Sequence, residues 1–244
     1  MGLIRLDKKY DEFYSFGCSF TTGYIEGWNK SWGYYLSEKL NAKPIVQARN
    51  GSGNFTLMMD VLTICEMNKN KNIAIGIQLT ERNRREIWVN DKNVYNSFNY
   101  ATLTLNSKKE LDKELHIFSD YVNELSPLLF NDFENYIRTL TSIMMIKNYL
   151  ENNKIDYVIF EGMVAISDYK DFQKNAPQNL ELFVKDDFVT PILESNTFFK
   201  KYGPMQPFCR THELYDVNKN GGHPNSEFIK WWVDEMYEQI KNNQ

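Results

Sequence analysis

The sequence has no apolar run approaching the ~18 residues needed to cross a bilayer as a helix. It has no excess of positive charge either. Its 28 Lys and Arg face 32 Asp and Glu, a formal net charge of −4. This excludes the electrostatic footprint of a nucleic-acid binder and the basic face of a protein docked on an anionic membrane. Lysines alternate with acids, as in Lys108-Lys109-Glu110-Leu111-Asp112-Lys113-Glu114, the pattern of a solvated helix face. The three cysteines, Cys18, Cys65 and Cys209, are odd in number and lack metal-ligand spacing. A disulfide framework and a cysteine-based metal centre are therefore not expected, and neither is any other cofactor. The N-terminus, MGLIRLDKKYDEF, has no apolar core of the kind a secretory signal carries, so the expected location is cytoplasmic. Glycine is sparse, at 12 in 244 residues, and there are no repeats or Gly/Ser-rich linkers.

Aromatic residues, in contrast, are abundant: 5 Trp, 15 Tyr and 16 Phe, or 15% of the chain. A chain of this length and aromatic content can bury a full core without disulfides or metal. Intrinsic disorder is excluded.

Strands and helices alternate along the sequence. Glu12 to Phe16 reads as a short strand ending at Gly17, and Ser31 to Leu40 as a helix capped by Ser31. Pro44 to Ala48 is a second strand. A helix from Asn54 to about Asn68 places Leu57, Met58, Val61, Leu62 and Cys65 on one side. Asn72 to Leu79 is continuously apolar, the pattern of a strand buried on both faces. A long helix follows at about Asp132 to Asn152, then a strand at Asp156 to Phe160 and a last helix from near Asn225. This order predicts an α/β fold, a mainly parallel sheet between two layers of helices. Two stretches break the alternation. Residues 81–130 contain a strand-like piece (Tyr100 to Leu105) and a charged helix, and residues 162–216 are irregular with Pro177, Pro191, Pro204 and Pro207. Both begin beyond the carboxyl end of a strand, where open parallel sheets bind ligands. They are expected to be insertions over a site within a single domain spanning 1–244.

Chemistry-bearing residues fall in four turns. Ser19 lies in Phe16-Gly17-Cys18-Ser19-Phe20-Thr21-Thr22-Gly23, a tight turn after the first strand that would raise its hydroxyl at the sheet edge. Cys18 is a rival nucleophile, but strand alternation turns it to the other side. The second turn is Asn50-Gly51-Ser52-Gly53-Asn54, with a backbone donor at Gly53 and an amide at Asn54. The third, Gln78-Leu79-Thr80-Glu81-Arg82-Asn83-Arg84-Arg85-Glu86, offers Thr80, Arg82 and Asn83 as donors, while Arg84, Arg85 and Glu86 read equally well as a solvated charge run. The fourth, Asn220-Gly221-Gly222-His223-Pro224-Asn225, carries a histidine at a helix start. His116 and His212 read as surface or satisfied histidines. Taken singly, each turn is an ordinary helix cap or loop. Only a fold that joins the chain's two ends makes His223 a base for Ser19.

Together the four turns resemble the SGNH/GDSL hydrolase family over nearly the whole chain, from Glu12 to the last helix. Gly17-Cys18-Ser19-Phe20-Thr21 is similar to the family's first block, which implies Ser19 as nucleophile. Gly51-Ser52-Gly53-Asn54 is similar to the second, which implies a Gly53 backbone donor. Gly222-His223-Pro224-Asn225 is similar to the last, which implies His223 as catalytic histidine. The patterns FGCSFT-G, A--GS-N, T--R and HPN are closest to a divergent branch common in bacteriophages and environmental bacteria. The resemblance implies a three-layer, flavodoxin-like α/β/α sandwich and hydrolysis of a small ester, such as an O-acetylated carbohydrate or lipid. Three positions depart from the family pattern. Cys18 replaces an Asp, the third block is not Gly-x-Asn-Asp, and Asn220 stands where an Asp usually orients the histidine. A backbone carbonyl or Asp216 is left to hold the imidazole, and Asn54, Thr80, Arg82 and Asn83 remain alternatives as side-chain oxyanion donor. The expected machinery is a Ser19–His223 dyad. An O-acyltransferase and a non-catalytic binding or virion structural module are the competing expectations.

Overall fold

A computed structural model describes residues 2–23, 27, 30–89, 94–99, 132–211 and 223–244, with side chains omitted at 85–89 and 94–99. Its centre is a five-stranded parallel sheet in the order β2-β1-β3-β6-β7. The strands are β1 (Glu12–Gly17), β2 (Lys43–Ala48), β3 (Ile73–Leu79), β6 (Asp156–Glu161) and the two-residue β7 (Phe198–Phe199). Register is set by Glu12 opposite both Lys43 and Ile73, and by Ala74 opposite Asp156. β1 lies between β2 and β3, so the chain leaves β1 in one direction, returns, and continues the other way from β3. This reversal opens a crevice at the carboxyl ends of β1 and β3.

Alternation along the strands divides the core in two. On β3, Ile73, Ile75, Ile77 and Leu79 face one layer, and Ala74 faces the other. The first layer consists of α3 (Asn54–Met67) and α4 (Asp132–Asn152), which bury Leu57, Met58, Val61 and Cys65, and Leu140, Ile143, Ile146 and Leu150. The second consists of α2 (Trp32–Lys39) and α7 (Ser226–Asn242). The sequence writes the last helix plainly: Phe228, Ile229, Trp232, Val233, Met236 and Ile240 are all buried. Both helices of this layer start on side-chain caps. Ser31 accepts from the Tyr34 amide, and Asn225 accepts from the Phe228 amide at 2.8 Å. No helix among the described residues is long and apolar enough to cross a membrane.

The two irregular stretches differ from expectation. The first contributes an antiparallel hairpin of β4 (Arg84–Val89) and β5 (Val94–Asn99), where a charge run was read. The expected strand-like piece at Tyr100 to Leu105 and the charged helix lie outside the described residues. The second stretch is not only an insertion. It carries two short 3₁₀ turns, α5 (Asp186–Leu193), the edge strand β7, and α6 (Met205–Thr211). Its prolines obscured both helices, because Pro191 lies inside α5 and Pro207 in the first turn of α6, a position that tolerates proline.

Gly76 marks the tightest contact between sheet and helices. A Cβ there would stand 2.6 Å from both Phe13 Cζ and Trp32 Cζ3, and these two rings pack edge to face at 6.3 Å. We expect Gly76→Ala to force both aromatics aside and destabilise the protein by about 1–3 kcal/mol. Denaturant unfolding followed by tryptophan fluorescence measures this, and an unchanged midpoint would contradict the close packing.

Candidate active site at the carboxyl edge of the sheet

β1 ends at Gly17, Cys18 is extended, and α1 (Ser19–Thr22) begins on the next residue. The turn closes at Gly23, whose left-handed backbone (φ 66°, ψ 39°) sends its N–H back to the Ser19 carbonyl. The Thr22 hydroxyl donates to the same carbonyl at 2.9 Å, with Asn50 Oδ1 at 3.0 Å from it, so the first and second turns are in contact. Beneath them, the Thr21 hydroxyl donates to Gln78 Oε1 and accepts from Trp32 Nε1 at 2.9 Å. A side chain at Gly17 would collide with Thr21, and one at Gly162 with the Gln78 amide. Two glycines thus let β1 and the end of β6 close around one buried glutamine. Ser19 is partly exposed, whereas Cys18 is fully buried in the core beneath α2 and α7. Of the two rivals, only the serine is reachable.

His223 belongs to the same edge. Its ring packs edge-on against Phe20, the residue after Ser19, with centroids 4.9 Å apart. Pro224 and the Asn225 cap then lead directly into α7. The first and last turns of the sequence therefore meet in space. Asn220 and Asp216, the candidates for orienting the imidazole, lie outside the described residues.

The second turn ends at Gly53, the N-cap of α3. Asn54 is buried, and its side chain is fully engaged with the neighbouring strand end. Its Nδ2 donates to the Thr80 carbonyl at 2.9 Å, with the Thr139 hydroxyl at 3.4 Å, and its Oδ1 accepts from the Thr80 amide at 2.8 Å. The expectation that Asn54 donates to an oxyanion is therefore revised, since both its polar atoms hold Thr80 in place. Thr80 is itself fully buried, with its hydroxyl 3.4 Å from Asn54 Oδ1. These two residues build the edge rather than face it.

Arg82 has a similar fate. Its Nη1 donates to Asp168 at 2.6 Å and its Nη2 to Asp132 at 3.3 Å, while its guanidinium lies 5.0 Å over the Phe172 ring. Burial would lower its pKa, but the two carboxylates outweigh this and hold it above the ordinary arginine value. Asn83 accepts from Asn135 on α4 at 3.2 Å. The residues that sequence reasoning passed over are Gln78, Arg84 and Glu161. Gln78 sits in a strand that reads as wholly apolar, Arg84 in an apparent charge run, and Glu161 at the last position of β6.

Glu161 is a buried carboxylate. Its Oε1 accepts three consecutive amides, from Ala165 (2.9 Å), Ile166 (2.7 Å) and Ser167 (3.0 Å), and so shapes the loop that presents Asp168 to Arg82. Burial raises its pKa against the lowering effect of those amides. With the native pKa above the unfolded one, the native state holds its proton to higher pH. Its contribution to stability is complete at low pH and is lost as pH rises past the ordinary glutamate range.

No family model matches the chain, and no curated relative does. Solved structures do. The psychrotrophic esterase EstA from Pseudoalteromonas sp. is 13% identical, with a TM-score of 0.51, and the match covers 95% of this chain and 97% of EstA. The protein TesA is 7% identical, with a TM-score of 0.50 over 95% of this chain and 99% of its own. The chain thus shares the α/β/α fold of these two proteins. The acetyl xylan esterase Est2A from Butyrivibrio proteoclasticus shares it at 12% identity and a TM-score of 0.50, with 96% of this chain covering 64% of that larger protein.

We expect Glu161→Gln, which keeps an acceptor for the three amides, to fold and to gain stability relative to wild type as pH rises past the carboxyl range. Glu161→Ala removes the acceptor of three amides, two of them on the buried residues Ala165 and Ile166, and should cost ~2 kcal/mol or more. Thermal unfolding between pH 4 and 8 reads both, and parallel pH profiles for wild type and Glu161→Gln would contradict the sign.

Proposed function

We propose that this chain is a serine ester hydrolase in which Ser19 and His223 act as a dyad. The observation that carries this reading is the packing of His223, just before the last helix, against Phe20, the residue that follows Ser19. In the proposed reaction His223 accepts the Ser19 hydroxyl proton as Oγ attacks the ester carbonyl. The backbone amides of Ser19 and Gly53, at the starts of α1 and α3, stabilise the oxyanion. His223 returns the proton to the leaving alcohol. Water, deprotonated by the same histidine, then releases the acid from the acyl-serine. No metal or cofactor enters these steps.

The substrate proposed is a small ester, with O-acetyl groups on carbohydrate the leading class. Support comes from the shared fold with EstA and with Est2A, the latter described as an acetyl xylan esterase. EstA is also described as inhibited by monoethylphosphonate, which favours a phosphonate probe as the test. Asparagine rather than aspartate at residue 220 of the sequence suits a dyad better than a full triad, because an amide side chain cannot balance an imidazolium as a carboxylate does.

A fluorophosphonate probe should phosphonylate Ser19 Oγ of the folded protein with loss of fluoride. Ser19→Ala should abolish labelling, and His223→Ala should slow it by about 10³-fold or more. Failure to label folded wild type would overturn the esterase reading, and labelling that survives Ser19→Ala would move the nucleophile elsewhere. Product analysis with added alcohol acceptors separates hydrolysis from acyl transfer: free acid alone is expected.

A further inference from the structure

A cleft of about 540 Å³ opens between the loops that follow β3 and β6, with α6 on its far side. Its size is that of a small-molecule site. Among its lining residues are three arginines: Arg82 and Arg84 from the β3 side and Arg210 from α6. Two acids, Glu81 and Asp168, line it as well.

These cations are not equivalent. Arg82 is neutralised, with Asp168 and Asp132 both within ion-pair distance. Arg84 is different. Its Nη1 donates to the Ser52 carbonyl at 3.2 Å, and its Nη2 lies 3.5 Å from Met163 Sδ. Its Nε is shut away from solvent without an acceptor among the described residues. Both groups it touches are uncharged, and they engage two of its five N–H donors. Ser52 immediately precedes Gly53, so the Arg84 guanidinium reaches from the cleft to the proposed oxyanion-binding turn. A guanidinium presented this way matches a planar or tetrahedral oxyanion with two parallel hydrogen bonds.

We propose that the cleft is a specificity subsite for a second, negatively charged group on the ester, a carboxylate or comparable oxyanion on the alcohol side, and that Arg84 is the residue that recognises it. This inference rests on the esterase reading and narrows its substrate from small esters in general to anionic ones. Arg210 lines the opposite wall of the cleft.

The test compares two acetates that differ only in charge, 4-acetoxybenzoate and its methyl ester, in wild type, Arg84→Gln and Arg84→Lys. Wild type is expected to favour the anionic ester in kcat/KM. In Arg84→Gln the anionic-to-neutral ratio should fall by about 10-fold or more, the value of one charge-assisted contact, and Arg84→Lys should restore part of it. In parallel, calorimetry with the product 4-hydroxybenzoate reads the subsite without catalysis. Binding should weaken by a similar factor in Arg84→Gln and be absent for methyl 4-hydroxybenzoate. Hydrolysis of both esters with no charge preference, or a preference that survives Arg84→Gln, overturns the subsite and leaves the esterase reading intact. Arg84-dependent binding of 4-hydroxybenzoate without hydrolysis of either ester overturns the esterase reading and sustains the anion site.

Discussion

The reciprocal hydrogen bonds between the Asn54 side chain and the Thr80 main chain hold the two halves of the site together. Where β3 ends, its next peptide group is buried and no neighbouring strand runs on to satisfy it. One amide side chain, held at the first residue of α3, supplies both the donor and the acceptor that Thr80 needs. The N-terminus of α3, and with it Gly53, is thereby fixed against the end of the central strand. Everything after Thr80, including Arg82 and Arg84, takes its direction from that anchored point.

The same device recurs along the edge in different chemical forms. Gln78 takes the Thr21 hydroxyl under the Ser19 turn, with Trp32 completing the chain. Glu161 gathers three amides of the next loop onto one oxygen. Arg82 and Asp168 then bridge the loops after β3 and β6. Buried polar groups of this kind are costly when incomplete, and they rigidify a structure when satisfied. A serine on a four-residue helix has little local stability of its own, so its position depends on this polar layer beneath it.

Much of the fold was legible in the sequence because its cause is local. Ile73 to Ile77 is an unbroken apolar run, and the α7 residues Phe228, Ile229, Trp232, Val233, Met236 and Ile240 repeat at helical spacing. The turns at Ser19 and His223 were legible as turns, through glycine and proline. What escaped was set by partners distant in sequence. Asn54 looks the same whether it faces a ligand or Thr80, and only the neighbouring strand decides between them. The β4–β5 hairpin hides in a charged stretch, and β7 is two residues long, too short to show any period. Helices α5 and α6 carry prolines at positions that composition alone reads as breaks.

Arg82 and Arg84 show this limit most clearly. They are the same residue type two positions apart, in one apparent charge run. Arg82 stacks on Phe172 between two carboxylates and joins loops. Arg84 crosses to Ser52 and Met163, where its contacts are a carbonyl and a thioether. A partly buried guanidinium whose partners among the described residues are uncharged gives up hydration without recovering it through an ion pair. Asp168 and Asp132 do not relieve this cost, since both are committed to Arg82. An arrangement that is costly by itself becomes favourable once an oxyanion completes it. That difference in free energy is what lets a binding subsite discriminate by charge.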